Sequence, residues 1–131
     1  MKKQSKLSEA EWELMTEIWR LGKPVSVREV HERLYPNKEK AYTTVQTTMN
    51  ILFDKNFLRR DKVGLVNFYF PTLSQREFAK RETSSFVFRL FNGSFGALAN
   101  YLVDSGELSD EELNELKTLI DEREKENGGK P

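Results

Sequence analysis

Thr43, Gln46, Thr47 and Asn50 recur at intervals of three and four within AYTTVQTTMN (41–50), a stretch without a single charge. On a helix that spacing places all four on one face. Their chemistry suits the edges of DNA base pairs. Gln46 can pair bidentately with adenine, and Asn50 can do the same if it reaches deep enough; a threonine offers a hydroxyl to a base edge or phosphate and a methyl to thymine. Cations stand to either side, with Lys38 and Lys40 before the stretch and Lys55, Arg59, Arg60 and Lys62 after it. With Glu39, Asp54 and Asp61 subtracted, residues 36–62 carry a net +3. Ser26 and Tyr42 complete the candidate phosphate contacts, Ser26 because free N–H groups at a helix start attract anions. With about four phosphate contacts per copy, a dimer is expected to bind with a salt slope of about −7.

The alternative reading is a merely solvated face. Other solvated helix faces in this chain, in the first and the last helix, are crowded with Glu, Lys and Arg. A neutral, hydroxyl-rich face departs from that habit and favours base reading. Arg59, Arg60 and Lys62 stay ambiguous individually, since edge strands carry charge simply to deter pairing.

Composition narrows the classes. The 131 residues are 32% charged and 37% apolar with a net charge of zero, which hides an asymmetry. Residues 1–72 hold 13 Lys/Arg against 9 Asp/Glu, a net +4, and residues 73–131 hold 8 against 12, a net −4. A basic half followed by an acidic one suggests a nucleic-acid module joined to something else. The absence of cysteine excludes disulfides and thiolate metal sites, and a single histidine, His31, leaves no histidine-built metal site. No nucleophile–base pair and no glycine-rich phosphate loop is present, so neither enzyme activity nor a cofactor is expected. MKKQSK is followed by LSEAEWEL rather than an apolar run, and LFNGSFGALANYLV (90–103) is too short to span a bilayer. A soluble, cytoplasmic protein with no direct membrane association is expected.

The elements that must position the site are marked by four S-x-x-E capping boxes, Ser8…Glu11, Ser26…Glu29, Ser74…Glu77 and Ser109…Glu112. The first predicts a helix over 8–21 with Trp12, Met15, Ile18 and Trp19 as its apolar stripe, ended by Gly22 and Pro24. A short helix follows Ser26, facing inward through Val27, Val30 and Leu34. The candidate reading helix spans 41–55, with Val45, Thr48, Met49, Leu52 and Phe53 on its inner face. Beyond Asn56 the period falls to two: 57–60 and 66–70 read as strands joined by a turn over 61–65. The expected fold is mainly α, a winged helix-turn-helix of three helices plus a β-hairpin over 1–72, followed by a three-helix dimerisation region over 73–131.

That second region is predicted as helices over 75–91, 94–104 and 109–126, with NGGKP as a disordered tail. FVFRLF at the end of the first is apolar on nearly every face, which demands burial on several sides. Three short helices cannot supply it alone. A second copy can, through Phe86, Phe88, Leu90, Phe91, Phe95, Leu98, Tyr101, Leu102, Leu113, Leu116 and Ile120. Folding back onto the first domain is the blander solution. Two other functional readings are a winged helix used only as a protein–protein module, and a repressor controlled directly by a small apolar ligand between the C-terminal helices.

LSEAEWELMTEIWRLG, the helix start AYTTVQTTMNIL, the hairpin, and FVFRLFNGS…LSDEELNELKTLID together resemble the penicillinase-repressor family, whose members control β-lactamase and methicillin-resistance genes. The resemblance covers about 7–125. It implies a homodimeric repressor on a palindromic double-stranded operator, with interlocked C-terminal helices and TACA/TGTA half-sites that suit Gln46 and Thr47. Several relatives place a lysine or arginine in the reading helix; this chain does not. In the β-lactam members a membrane sensor metalloprotease triggers cleavage at an Asn–Phe bond, and the matching positions here are Asn100 and Tyr101. The cysteine cluster of copper-responsive relatives has no counterpart.

Overall fold

The computed structural model describes residues 6–128. Among these the elements run α1 (Glu9–Leu21), α2 (Val27–Leu34), α3 (Tyr42–Asp54), β1 (Leu58–Val63), β2 (Val66–Pro71), α4 (Gln75–Phe91), α5 (Phe95–Asp104) and α6 (Asp110–Asn127). The order is that of a winged helix-turn-helix followed by further helices. Part of the expected tail, 129–131, lies outside the described residues, whereas Asn127 is the last residue of α6.

Three of the four capping boxes close in both directions, at Ser8/Glu11, Ser74/Glu77 and Ser109/Glu112. At Ser26 only half forms. The Ser26 hydroxyl accepts from the Glu29 amide at 3.1 Å, while the Glu29 carboxylate takes Lys23 at 2.7 Å instead. Ser94, which does not follow the S-x-x-E pattern, caps α5 through the Ala97 amide at 3.0 Å. Gly22 ends α1 at φ 66°, a left-handed conformation in which its amide returns to the Ile18 carbonyl.

The chain divides between Lys80 and Arg81 into two compact units. In the first, Leu14, Met15, Ile18, Val30, Val45, Met49 and Leu52 from three helices meet Phe57, just before the hairpin, and Leu58 and Tyr69 within it in one core. Each such side chain contributes about 1.5–3 kcal/mol by leaving water. The expected α1 stripe needs correction: Trp12 is exposed on one side, and the buried positions are Glu11, Leu14, Met15 and Ile18. Trp12 and Trp19 instead form an aromatic cluster with Phe78 of α4, whose edge also meets Phe57 at 5.5 Å. Phe78, 4% exposed, explains why the unit extends into α4 rather than stopping at 72. The Trp19 indole also donates to the Leu73 carbonyl at 2.9 Å.

The hairpin is longer than the sequence pattern indicates. Asp61, Lys62 and Val63 remain paired with Phe68, Asn67 and Val66, and the turn shrinks to Gly64-Leu65. Gly64 makes this possible by taking φ 65° at the first turn position, the signature of a tight II′-type connection. By the alternation of a strand, Leu58, Arg60 and Lys62 share one face with Tyr69 and Asn67, and Arg59, Asp61 and Val63 share the other with Phe70, Phe68 and Val66.

The second unit presents most of its apolar side chains to solvent. Val87 is its one buried residue among those described, while Phe88 is 74% exposed and Leu90, Phe95, Tyr101, Val103, Leu119 and Ile120 are exposed too. Its rings form a short chain, with Phe86 and Phe91 centroids 6.0 Å apart and Phe91 and Tyr101 also 6.0 Å apart. Asn92 and Gly93, both at positive φ, turn α4 into α5.

One buried charge stabilises the first unit. The Glu11 side chain, 7% exposed, accepts from Lys55 Nζ at 2.8 and 3.0 Å and from the Ser8 amide at 2.9 Å. Burial pushes its pKa up, but the Lys55 ammonium and the Ser8 amide outweigh burial and hold it below the usual glutamate value. A depressed carboxylate adds stability above its unfolded pKa and loses it as pH falls through the folded one. Glu11→Gln is therefore expected to destabilise the fold by about 1–2 kcal/mol at neutral pH. Thermal unfolding across pH should show the gap to the parent chain closing below the ordinary glutamate range.

Candidate nucleic-acid interface

The outer face of α3 is built by subtraction. Val45, Met49 and Leu52 are buried against the core, which leaves Thr43, Gln46 and Thr47 exposed with no side-chain hydrogen bond to another described residue. No side chain caps the start of α3 among the described residues, because Ala41 stands at the cap. The last turns carry no cation on this face, and Ile51 extends the Thr43–Thr47 row by one more turn, exposed like them. Thr48 is half-buried and returns its hydroxyl to the Thr44 carbonyl at 3.0 Å.

Asn50 has a different fate from its three companions. Its Oδ1 accepts from the Tyr69 hydroxyl at 2.8 Å and from Arg60 Nη1 at 3.2 Å. Arginine can only donate, so the amide orientation is fixed with oxygen toward the hairpin. Bidentate pairing with adenine needs both ends of the amide, and one end is occupied. The free Nδ2 can only donate. Asn50 thus ties α3 to the wing, a role that the sequence pattern gave no sign of.

The cations separate into bound and available ones. Lys55 is held by Glu11 and by the Lys6 carbonyl at 3.3 Å. Moving it to a phosphate would leave the Glu11 carboxylate buried without its counter-ion, so Lys55, expected as a phosphate contact, is engaged in holding the fold. The Arg60 guanidinium lies 3.9 Å from the Phe53 ring centroid besides bonding Asn50. Lys40 sits 3.9 Å from Glu13 and over the Tyr35 ring. Tyr35 itself donates to Glu13, and burial together with that carboxylate raises its pKa, so the hydroxyl stays a donor. Lys38, Arg59 and Lys62 make no side-chain bond among the described residues. Of these, Lys62 lies on the wing face shared with Tyr69, and Arg59 on the opposite face.

A groove of about 540 Å³ runs between the start of α2, α3 and the wing, lined by Ser26, Arg28, Tyr42, Gln46, Leu65 and Asn67, with further wing residues. Arg28 is exposed and unpaired there among the described residues, and sequence reasoning missed it; its place in the first turn of a capped helix, two positions after Ser26, was the available signal. Tyr42 packs edge-on against His31, whose Nε2 meets the Lys40 carbonyl at 2.7 Å. His31 is thereby a loop fastener. Among the described residues no cluster of His, Asp and Glu could hold a metal ion, and no helix is long and apolar enough to cross a membrane.

Three packed helices with a hairpin wing, an exposed polar face on the third helix and unpaired cations beside it define a winged helix-turn-helix protein. The family model described as penicillinase repressor matches residues 7–122, and the chain belongs to that family. The penicillinase repressor of Bacillus licheniformis is 31% identical over 122 residues, spanning 93% of this chain and 94% of its own. The methicillin resistance regulatory protein MecI of Staphylococcus aureus (strain N315) is 26% identical over 117 residues, 89% of this chain and 94% of its own. The solution structure of the DNA-binding domain of the repressor BlaI superposes with a TM-score of 0.51 at 32% identity, covering 57% of this chain and 90% of that one.

The strut role of Asn50 has a measurable consequence. Asn50→Ala removes the acceptor for Tyr69 and Arg60 and is expected to destabilise the fold by about 1–2 kcal/mol. Thr47→Ala, on the exposed face, should shift stability by less than about 0.5 kcal/mol. Chemical denaturation of both variants separates a tether from a solvated side chain.

Proposed function

We propose that this chain is a transcriptional repressor that binds operator DNA as a homodimer, with α3 in the major groove. The observation that carries the reading is the neutral, unbonded face of Thr43, Gln46 and Thr47, flanked by unpaired cations, in a member of a family named for its repressors. Gln46 reads adenine, the threonines read thymine methyls or nearby phosphates, and Asn50 offers at most its Nδ2 to an acceptor. Lys38, Lys62 and Arg28, with Ser26 and Tyr42 at the groove, hold the phosphates. Counting three cations per copy in place of four lowers the expected salt slope of the dimer to about −5.

The dimer reading rests on the exposed rings and leucines of the second unit. A cleft of about 860 Å³ between α5 and α6, lined by Leu102, Val103, Leu113, Leu116 and Ile120 among others, is filled by the partner copy on this reading. Under the ligand-controlled alternative a small apolar molecule would stabilise the dimer from the same cleft. Induction by a membrane sensor metalloprotease system is proposed at Asn100-Tyr101, both exposed in the middle of α5. Cutting there separates α6 from the rest and leaves each half-site held by one weakly bound copy.

Gln46→Ala is expected to cost about 1–3 kcal/mol of operator affinity and to relax selection at one base pair per half-site. Selection from random DNA with parent and variant tests it, and an unchanged preference would sink the assignment. Phe91→Asp should yield monomers in sedimentation, since a buried carboxylate among aromatic rings is strongly unfavourable. A surviving dimer would refute the proposed shared core.

A further inference from the structure

The hairpin reverses the pattern of a ribbon with one buried side. In an antiparallel sheet packed on one face, apolar residues point inward and polar ones outward. Here Val66, Phe68 and Phe70 lie on the face opposite Leu58 and Tyr69, together with Val63, Arg59 and Asp61. Val63 is 65% exposed and Val66 45%. Phe68 and Phe70 are half-buried, yet neither packs against the core, which takes Leu58 and Tyr69 from the other face. Attachment of the hairpin therefore does not require them. Arg59 and Asp61 are exposed on the same face and make no hydrogen bond or ion pair among the described residues.

We propose that this outer face docks on the same face of a copy in a neighbouring dimer, about a two-fold axis that crosses the strands at the Arg60–Tyr69 pair. The face is self-complementary about that axis. Arg59 and Phe70 form one register pair, and Asp61 and Phe68 form the next pair on this face, about 7 Å along the strand. An axis midway between the two pairs, parallel to the sheet, brings Arg59 opposite the second copy's Asp61 and Phe70 opposite the second copy's Phe68. The converse pairs form by symmetry, so two ion pairs lie beside two ring pairs. Packed sheets stand about 10 Å apart, a gap that an arginine and an aspartate reaching toward each other can close. Charge selects the occupant. The face is neutral, and Asp61 at its middle repels phosphate, so it does not suit DNA. A partner with one dominant charge would leave either Arg59 or Asp61 opposed by its own sign. A few side chains per copy make a weak contact, which becomes effective between dimers already held close together. Its role on DNA rests on the DNA-binding reading above: dimers on neighbouring operators are joined wing to wing.

DNA carrying two selected operators, with spacers stepped through one helical turn, tests this against DNA carrying one. At the best-phased spacing the parent chain should bind the second operator about tenfold more tightly than the first. Arg59→Asp and Asp61→Arg should each lose that gain, measured against the variant's own single-operator affinity. The double exchange Arg59→Asp with Asp61→Arg, which keeps the parental net charge, should restore it. No gain at any spacing overturns the proposal, as does a gain that survives either single exchange or fails to return in the double one. A DNA-free arm keeps the two readings apart. The chain has no cysteine, so Phe68→Cys supplies a unique site for a short bismaleimide. It should link copies at high protein concentration, and adding Arg59→Asp should prevent the linkage. No linkage, or linkage indifferent to Arg59→Asp, overturns the wing contact whatever DNA does. Charge-dependent linkage in a chain that binds no operator would uphold the contact and sink the DNA-binding reading alone.

Discussion

Tyr69 is the point on which the first unit turns. Its backbone pairs with Val25 in both directions, at 2.7 and 2.9 Å, which fastens the wing to the strand-like segment before α2. Its ring is 2% exposed in the core, and its hydroxyl reaches Asn50 on α3. One residue thus fixes the wing, the start of α2 and the candidate reading helix in a single frame. A two-stranded hairpin is marginal on its own. Without this clamp its tip would have no defined position relative to α3, and a surface made of both could not match the fixed spacing of DNA grooves.

The same frame decides which charges are available. Lys55 neutralises Glu11, Lys40 sits beside Glu13, and Arg60 is held between Asn50 and the Phe53 ring. All three lie close in sequence to the reading helix, yet each is committed to holding elements together. Among the described residues Lys38, Arg59, Lys62 and Arg28 make no side-chain bond, and Lys38, Lys62 and Arg28 stand one on each of the segments that surround α3. Phosphate attraction on the proposed interface is therefore peripheral, and the helix between can stay neutral. A neutral face has one advantage for sequence reading: it contributes little to nonspecific affinity, which is mostly ionic.

Much of this was legible in the sequence, and the misses have physical reasons. Capping boxes and apolar spacing marked every helix to within a residue or two, because both signals are local. Buried and exposed sides of α3 followed from periodicity for Val45, Met49 and Leu52. What periodicity could not supply was the partner of each polar group. Asn50 has the type and position of a base reader, and only the pairing of Arg60 with Tyr69 across the hairpin reveals that its oxygen is taken. Lys55 looked like a phosphate ligand until Glu11, 44 positions away in sequence, claimed it. Trp12 belonged to the α1 stripe by spacing, but Phe78 drew it into a cluster that no local pattern encodes.

In the proposed mechanism a short helix of the second unit serves as the switch. α5 has ten residues, a length at which an isolated helix is marginal in water and depends on its apolar contacts. Its Ser94 cap helps, yet Phe95, Tyr101, Leu102 and Val103 all remain exposed in the single chain. The Asn100–Tyr101 bond sits in the middle of this helix, and a protease needs an extended backbone to cut it. On the dimer reading, the contacts that join two copies are the same ones that keep α5 wound. Cleavage then requires local unwinding that the dimer resists, and each cut removes α6 and with it part of the surface that resisted. On this reading association protects the bond and cutting abolishes association, so the two states reinforce themselves, and the proposed switch is built from the exposed apolar faces of α5 and α6.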